Sequence, residues 1–223
     1  MKKERIFWIV LLVLTLAIPA LADFYRPYVS TRTYYYTSLL KTGQTTQYNS
    51  KEDDGYWEKG YAKSYTVHTT GNYAGTTNIT LNGKTHALSN NCVTDNRTGL
   101  MWARYVPDGD IGPDGDGKLY WIDDTNDEDI FDLSDQANAG SLGGHTDWRV
   151  PNIIELESLM KHEGSSPLID TTTFPSTPGA HHWSSTTKAT GTTNAIVLLF
   201  HLGETAVATK TTGKYCCRLV RGG

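Results

Sequence analysis

The chain has 223 residues, 20 of them basic and 24 acidic, for a net charge of −4, and it contains three cysteines. That acidic balance argues against bulk nucleic-acid binding, which needs a basic field to neutralise phosphates. It also disfavours a purely electrostatic grip on polyanions, although a local basic patch is compatible with it.

The first 22 residues read as a secretory leader. Lys2, Lys3 and Arg5 open it, Ile6 to Leu16 is almost wholly apolar, and Ala20-Leu21-Ala22 supplies the small-x-small pattern cut by signal peptidase. The competing reading is an uncleaved anchor, since Ile6 to Ala22 reaches the short end of the roughly 17 to 25 residues that span a bilayer. Pro19 and the cleavage pattern favour removal, and no Cys follows Ala22 to carry a lipid. No later stretch is apolar enough to span a membrane, so the chain is expected to be exported, to the periplasm, the cell surface or the medium. Cleavage leaves 201 residues with 17 basic and 23 acidic side chains, a net charge of −6. That length suits one domain, or one domain with an extension.

Residues 23 to 90 are rich in Tyr, Thr, Gly and Asn, with "TYYYT" at Thr33 to Thr37 and "YTVHTTGNYAGTTNITLNG" at Tyr65 to Gly83. β-Branched and aromatic residues broken by Gly-Asn pairs predict short strands and turns, with a partly ordered arm as the alternative. From residue 91 the pattern changes. "CVTDNRTGLMWARY" predicts a strand around Leu100 to Ala103 after a turn at Asn96 to Gly99. An acidic glycine-rich loop follows, "PDGDIGPDGDGKLYWIDD". Its carboxylates Asp108, Asp110, Asp114 and Asp116 are candidate calcium ligands, because hard Ca2+ takes six to eight oxygens. The spacing does not fit an EF-hand, and a solvated acidic loop is the competing reading.

"DEDIFDLSDQANAG" predicts a short helix ending at Gly140. In "GHTDWRVPNIIELESLM", Asn152 can cap a helix whose third residue is Glu155, with Pro151 just outside and Ile153, Ile154, Leu156, Leu159 and Met160 as its apolar face. The C-terminal end predicts strands near Ala195 to His201, Glu204 to Lys210 and Tyr215 to Arg221, turning at Gly203 and Gly213. Two short helices against antiparallel strands is an α+β architecture.

Aromatic and arginine residues in these motifs suit structural roles better than ligand contact. Trp148 buries, Arg149 offers a planar donor fork, and Trp102, Trp183 and Arg221 occupy equivalent core-forming stretches. His181 and His182 are adjacent, so on a strand they point to opposite faces and make a poor metal pair. Ser184 and Ser185 lack a nucleophile elbow and a third partner, so no catalytic residues are assigned. In an oxidising compartment Cys92 is expected to pair with Cys216 or Cys217. Closing so long a loop would stabilise by about 4 to 5 kcal/mol in the chain-entropy model.

Four segments in this order resemble one bacterial family: "LLKTGQTTQY" (Leu39 to Tyr48), "VTDNRTGLMWAR" (Val93 to Arg104), "GHTDWRVPNIIELESLM" (Gly144 to Met160), and "HHWSSTT" followed by "CRLVRGG". They are similar to the C-terminal domain family of the Legionella collagen-like adhesin. The resemblance implies a C-type-lectin-like topology over residues 91 to 223, distantly akin to the formylglycine-generating enzymes and to the variable proteins of diversity-generating retroelements. It also implies a role in adhesion, the best known relative binding sulfated polysaccharides. Val150 replaces the family's usual Leu, and Cys216-Cys217 stands where it has one Cys. The adjacent pair does not reproduce the two active-site cysteines of the formylglycine-generating enzymes.

The expected function is therefore a non-enzymatic recognition module for an extracellular glycan or surface protein. Tyr120, Trp121, Asp123 and Asp124 are the candidate ligand residues, and calcium is the one candidate cofactor. The alternatives are an envelope assembly component, self-associating through its Tyr/Thr-rich arm, and an enzyme of the formylglycine-generating-like fold.

Overall fold

The run AIVLLF, Ala195 to Phe200, is apolar at every position because its strand is covered on both faces. Ala195, Val197 and Leu199 enter one core, while Leu198 and Phe200 enter a second, with Ile196 packed against it. Period-two alternation thus divides a single strand between two hydrophobic cores. The computed structural model describes residues 39–49, 52–107, 109, 111–122 and 128–223. The leader and "TYYYT" lie outside them, and residues 40–223 form one compact unit.

The unit is α+β with antiparallel sheets. Strands β1 (Tyr65–His68), β4 (Cys92–Asp95), β5 (Met101–Ala103) and β9 (Val220–Arg221) make a four-stranded sheet in the order β1-β4-β5-β9. A hairpin joins β2 (Thr76–Leu81) to β3 (Lys84–Ser89), and β6 (His181–Thr187), β7 (Asn194–Leu199) and β8 (Glu204–Thr209) form a three-stranded meander. Helices α1 (Asp54–Trp57), α2 (Ile130–Ala139) and α3 (Ile153–Glu157) are all short. No helix among the described residues is long and apolar enough to cross a membrane.

Residues 40–90 supply α1, β1 and the β2-β3 hairpin. β1 pairs with β4 in the register Tyr65 with Asp95 to His68 with Cys92. β2 alternates exposed and buried residues and sends Ile79 and Leu81 into the first core, beside Leu133 and Ala137 of α2. The close approach fixes two glycines. A side chain at Gly143 (φ +58) would meet Cys92 Sγ at 2.8 Å, and one at Gly112 (φ +92) would meet the Lys118 carbonyl at 1.9 Å.

Helix starts follow from their caps. The Asp129 carboxylate accepts from the N–H groups of Phe131 (2.7 Å) and Asp132 (2.9 Å), and α2 stops at Gly140. Asn152 accepts from Glu155 N–H while Glu155 accepts from Asn152 N–H, a reciprocal box at the start of α3.

Two sequence expectations are corrected. The last strand does not run unbroken from Tyr215 to Arg221: Tyr215 bridges Leu119, Cys216 bridges His182, and only Val220–Arg221 joins β5. The segment crosses from one sheet to the other, and a crossing chain cannot keep one ladder. The disulfide is also absent, since Cys92, Cys216 and Cys217 are three free, buried thiols. Cys92 Sγ lies 3.3 Å from the Asn90 carbonyl and packs under Gly143, which turns it into a small core group.

Candidate functional site

The three tryptophans of the motifs are core posts. Trp102 and Trp183 are wholly buried, Trp183 donates through Nε1 to the Leu119 carbonyl, and Trp148 donates to the Leu142 carbonyl, both at 2.8 Å. Arg149 grips Glu155 bidentately, Nη1 to Oε2 at 2.8 Å and Nη2 to Oε1 at 2.6 Å, and reaches the Gly222 carbonyl. Burial alone would raise the Glu155 carboxyl, but the bonds from Arg149 and Asn152 outweigh it and hold it below its ordinary value. Arg221 makes a similar fork to Asp147, with Nε to Oδ1 at 2.6 Å.

The Arg149 fork ties the C-terminal tail to the cap of α3, and this sets an expectation. Arg149→Ala should destabilise the domain by about 1 to 2 kcal/mol, the lower part of the range for charge-assisted bonds because Arg149 is partly exposed. Arg149→Lys should recover little of it, since one ammonium cannot span both oxygens. Urea unfolding of the three proteins checks this; full rescue by Lys would mean that charge, not the fork, matters.

The acidic loop closes on itself. Ile111 is buried in the first core, Gly117 N–H donates to its carbonyl at 2.7 Å, and Gly115 N–H donates to Gly112. The described carboxylates hold ammonium groups: Asp114 accepts from Lys214 at 2.6 Å and Asp116 from Lys118 at 2.5 Å. Asp108, Asp110, Asp123 and Asp124 lie outside the described residues. Among those described, no group of three or more metal-binding side chains is placed to hold an ion.

Of the candidate ligand residues, Trp121 is pinned. Its Nε1 donates to the Ser184 carbonyl, Phe131 meets its ring edge-on, and Lys210 Nζ sits 3.8 Å from the ring centroid. Tyr120 is half-buried, with Lys214 Nζ 5.3 Å from its ring.

The catalytic alternatives find other employment. Ser184 donates to the Ile196 carbonyl and Ser185 to the Pro151 carbonyl, while His182 is buried edge-on to Phe200 with Nδ1 at the Ala180 carbonyl. Burial pushes the thiols up, Cys92 to about 12 and Cys216 to about 11, with Cys217 raised further. They are thiols rather than thiolates at neutral pH.

Two features escaped the sequence reading. One is a cavity of about 560 Å³, within the size range of small-ligand sites. Thr76, Leu88 and Ser89 of the β2-β3 hairpin form part of its wall, Tyr105 and Ser176 another, and Gly109 and Asp116 of the acidic loop a third. Walls drawn from segments so distant in sequence carry no local signal. The other is Arg218, wholly buried in the closing segment.

The class is now defined: an α+β domain, stapled by buried tryptophans and arginine forks, with a mixed polar and apolar cavity beside an acidic loop. The family model of the Lcl C-terminal domain matches residues 91–221, and the chain belongs to this family of exported, adhesin-associated domains. No curated protein matches the chain.

Proposed function

We propose that this protein is an exported, non-enzymatic recognition module, of C-type-lectin-like topology, that binds an extracellular carbohydrate in adhesion. The observation that carries the reading is the 560 Å³ cavity on a domain of an adhesin-associated family. Its lining mixes the hydroxyls of Thr76, Ser89, Ser176 and Tyr105 with apolar Leu88, Pro107 and Pro178. A sugar presents the matching pair of chemistries, hydroxyl edges and C–H faces. Tyr120, which follows the acidic loop whose Asp116 lines the cavity, is a proposed further contact, and Asp123 and Asp124, which lie outside the described residues, are proposed with it from the sequence alone.

The test is binding of the exported chain to an array of neutral and sulfated glycans, in calcium and again in chelator. Binding is expected, and Tyr105→Ala should weaken it about tenfold or more, about 1.4 kcal/mol. Dependence on calcium would bring in the loop carboxylates. Absence of binding to every glycan would overturn the reading.

A second reading, an envelope assembly component, is favoured by a different observation. Tyr48 (76%), Tyr56 (51%), Trp57 (53%) and Tyr61 (42%) are exposed in one short stretch outside the matched family segment. Deletion of residues 44 to 61 that abolishes oligomers, in a chain that binds no glycan, would select it.

A further inference from the structure

Strand β8 stands at an edge of the three-stranded meander, and its sequence reads the same in both directions but for its charged ends. The order is β6-β7-β8, so β7 takes one side of β8 and no strand takes the other among the described residues. The stretch Glu204 to Lys210 is ETAVATK, symmetric about Val207: Ala206 and Ala208 flank it, then Thr205 and Thr209, then a Glu and a Lys of opposite charge. Its ladder to β7 runs without a bulge, from Asn194 with Thr209 to Leu199 with Glu204. Between Thr205 and Thr209 there is no charge or proline to blunt the edge, and Val207 is 50% exposed.

The backbone decides what that edge presents. Lys210 N–H donates to the Thr193 carbonyl at 3.0 Å, one register step beyond Asn194 with Thr209. Antiparallel ladders alternate, so Glu204, Ala206, Ala208 and Lys210 turn their N–H and C=O groups to β7, while Thr205, Val207 and Thr209 turn theirs outward. The Thr209 carbonyl accepts from Gly213 N–H at 3.0 Å, and the other outward groups have no hydrogen-bond partner among the described residues. Side chains divide the same way: Ala206 and Ala208 pack on the first core, whereas Thr205, Val207 and Thr209 are exposed. Lys210 Nζ donates to the Thr187 hydroxyl at 2.8 Å and sits over the Trp121 ring, both uncharged, and Glu204 is exposed. Neither Lys210 nor Glu204 has an ion-pair partner among the described residues.

We propose that β8 pairs edge to edge with β8 of a second copy of this chain, antiparallel, with a two-fold axis between the two Val207 residues. In that register Val207 faces Val207, Ala206 faces Ala208, Thr205 faces Thr209 and Glu204 faces Lys210, so two meanders join into one continuous sheet. Because the symmetry is centred on a residue and not between two, outward-turned residues meet outward-turned ones, and the two Val207 residues exchange both backbone bonds. The Glu204 and Lys210 pair forms at each end and supplies the carboxylate that Lys210 lacks. Parallel pairing in register would instead set Glu204 beside Glu204 and Lys210 beside Lys210, which like charge disfavours. Val207 already stands beside Ile196 of β7, so its exposed face continues an apolar row across the axis. No residue of β8 lines the 560 Å³ cavity, so the pairing stands whether or not that cavity takes a sugar.

The experiment follows the mass of the full exported chain by sedimentation equilibrium from about 1 μM to about 1 mM, with backbone amide exchange measured at both ends of that range. Mass should rise toward that of a dimer, and the Thr205, Val207 and Thr209 amides should slow as it does. The Ala206 and Ala208 amides, already bonded to β7, should not change with concentration. Val207→Lys places two ammonium groups on the axis and should hold the chain monomeric throughout; because Val207 is exposed, urea unfolding of the monomer should stay close to that of the unsubstituted chain. Glu204→Lys sets a lysine against Lys210 at both ends and should weaken association about tenfold or more, and adding Lys210→Glu should restore it. A chain that stays monomeric at every concentration would overturn the proposal. So would a dimer that Val207→Lys leaves intact, which would place the contact on another surface, the exposed aromatic stretch from Tyr48 to Tyr61 first among them.

Discussion

Arg218→Met should cost the domain on the order of 3 to 5 kcal/mol, enough to leave a protein of ordinary stability close to unfolding. The guanidinium is wholly buried. Its Nη1 donates to the carbonyls of Ala103 and Arg104, each at 2.6 Å, its Nη2 donates to the Thr177 hydroxyl at 2.7 Å, and its plane stands 4.9 Å from the centroid of Phe174. Methionine keeps most of the stem but offers no donor. Two carbonyls at the end of β5 would then be left in a dry interior, at about 1 to 3 kcal/mol for each unsatisfied group. Burial lowers the Arg218 pKa to about 9, so the side chain is still charged at neutral pH and its bonds are charge-assisted. Arg218→Lys should recover only part of the loss, because one ammonium cannot reach three acceptors spread across a planar fork. Urea unfolding measures both variants. A cost below about 1 kcal/mol for the Met variant would show that water replaces the guanidinium at little expense.

Arg218 also shows where reading the sequence stops. The Asn152 cap, the stop at Gly140 and the turn at Asn96 to Gly99 are local, written within four or five residues, and the structure has them. The three C-terminal strands were legible from their β-branched runs, yet the break between Cys216 and Val220 was not. Nothing in "YCCRLVR" says that this segment changes sheets; that depends on its pairing partners Leu119, His182 and Met101, between 34 and 120 positions away in the chain. The Cys92 pairing failed for a related reason. Compartment and count made a bridge plausible, but geometry decides a disulfide, and Cys92 points toward Asn90 and Gly143. The acidic loop was visible as a composition, while its lysine partner Lys214 was a hundred residues distant. The cavity is a product of tertiary assembly, and no motif announces it.

Acidification from pH 7 to pH 5 should remove about 2 kcal/mol of stability through His182 alone. Its ring is wholly buried, with Nδ1 at the Ala180 carbonyl and Nε2 without a hydrogen-bond partner among the described residues. Burial, then the charge of Arg218, lowers its pKa to about 3, against the small opposing effect of the Ala180 bond and with a further lowering from His181. A neutral histidine in the fold and a titrating one in the unfolded chain fix the sign. The unfolded state takes up a proton below about 6.5, the folded state does so only near 3, and stability is lost as pH falls between those values. His145 and His181 are lowered as well, chiefly by burial, and add to the same slope. Carboxylates such as Glu155 and Asp147, lowered by their arginine partners, contribute only below their own unfolded values, in a more acidic window. His182→Gln should therefore flatten the stability profile between pH 7 and pH 5 while leaving the steeper fall below pH 4 in place. The slope, not the absolute stability, is the readout, so the variant is informative even where its packing against Phe200 is poorer. An unchanged slope would place the proton uptake on other groups and would mean that the fold admits a charged ring beside Arg218.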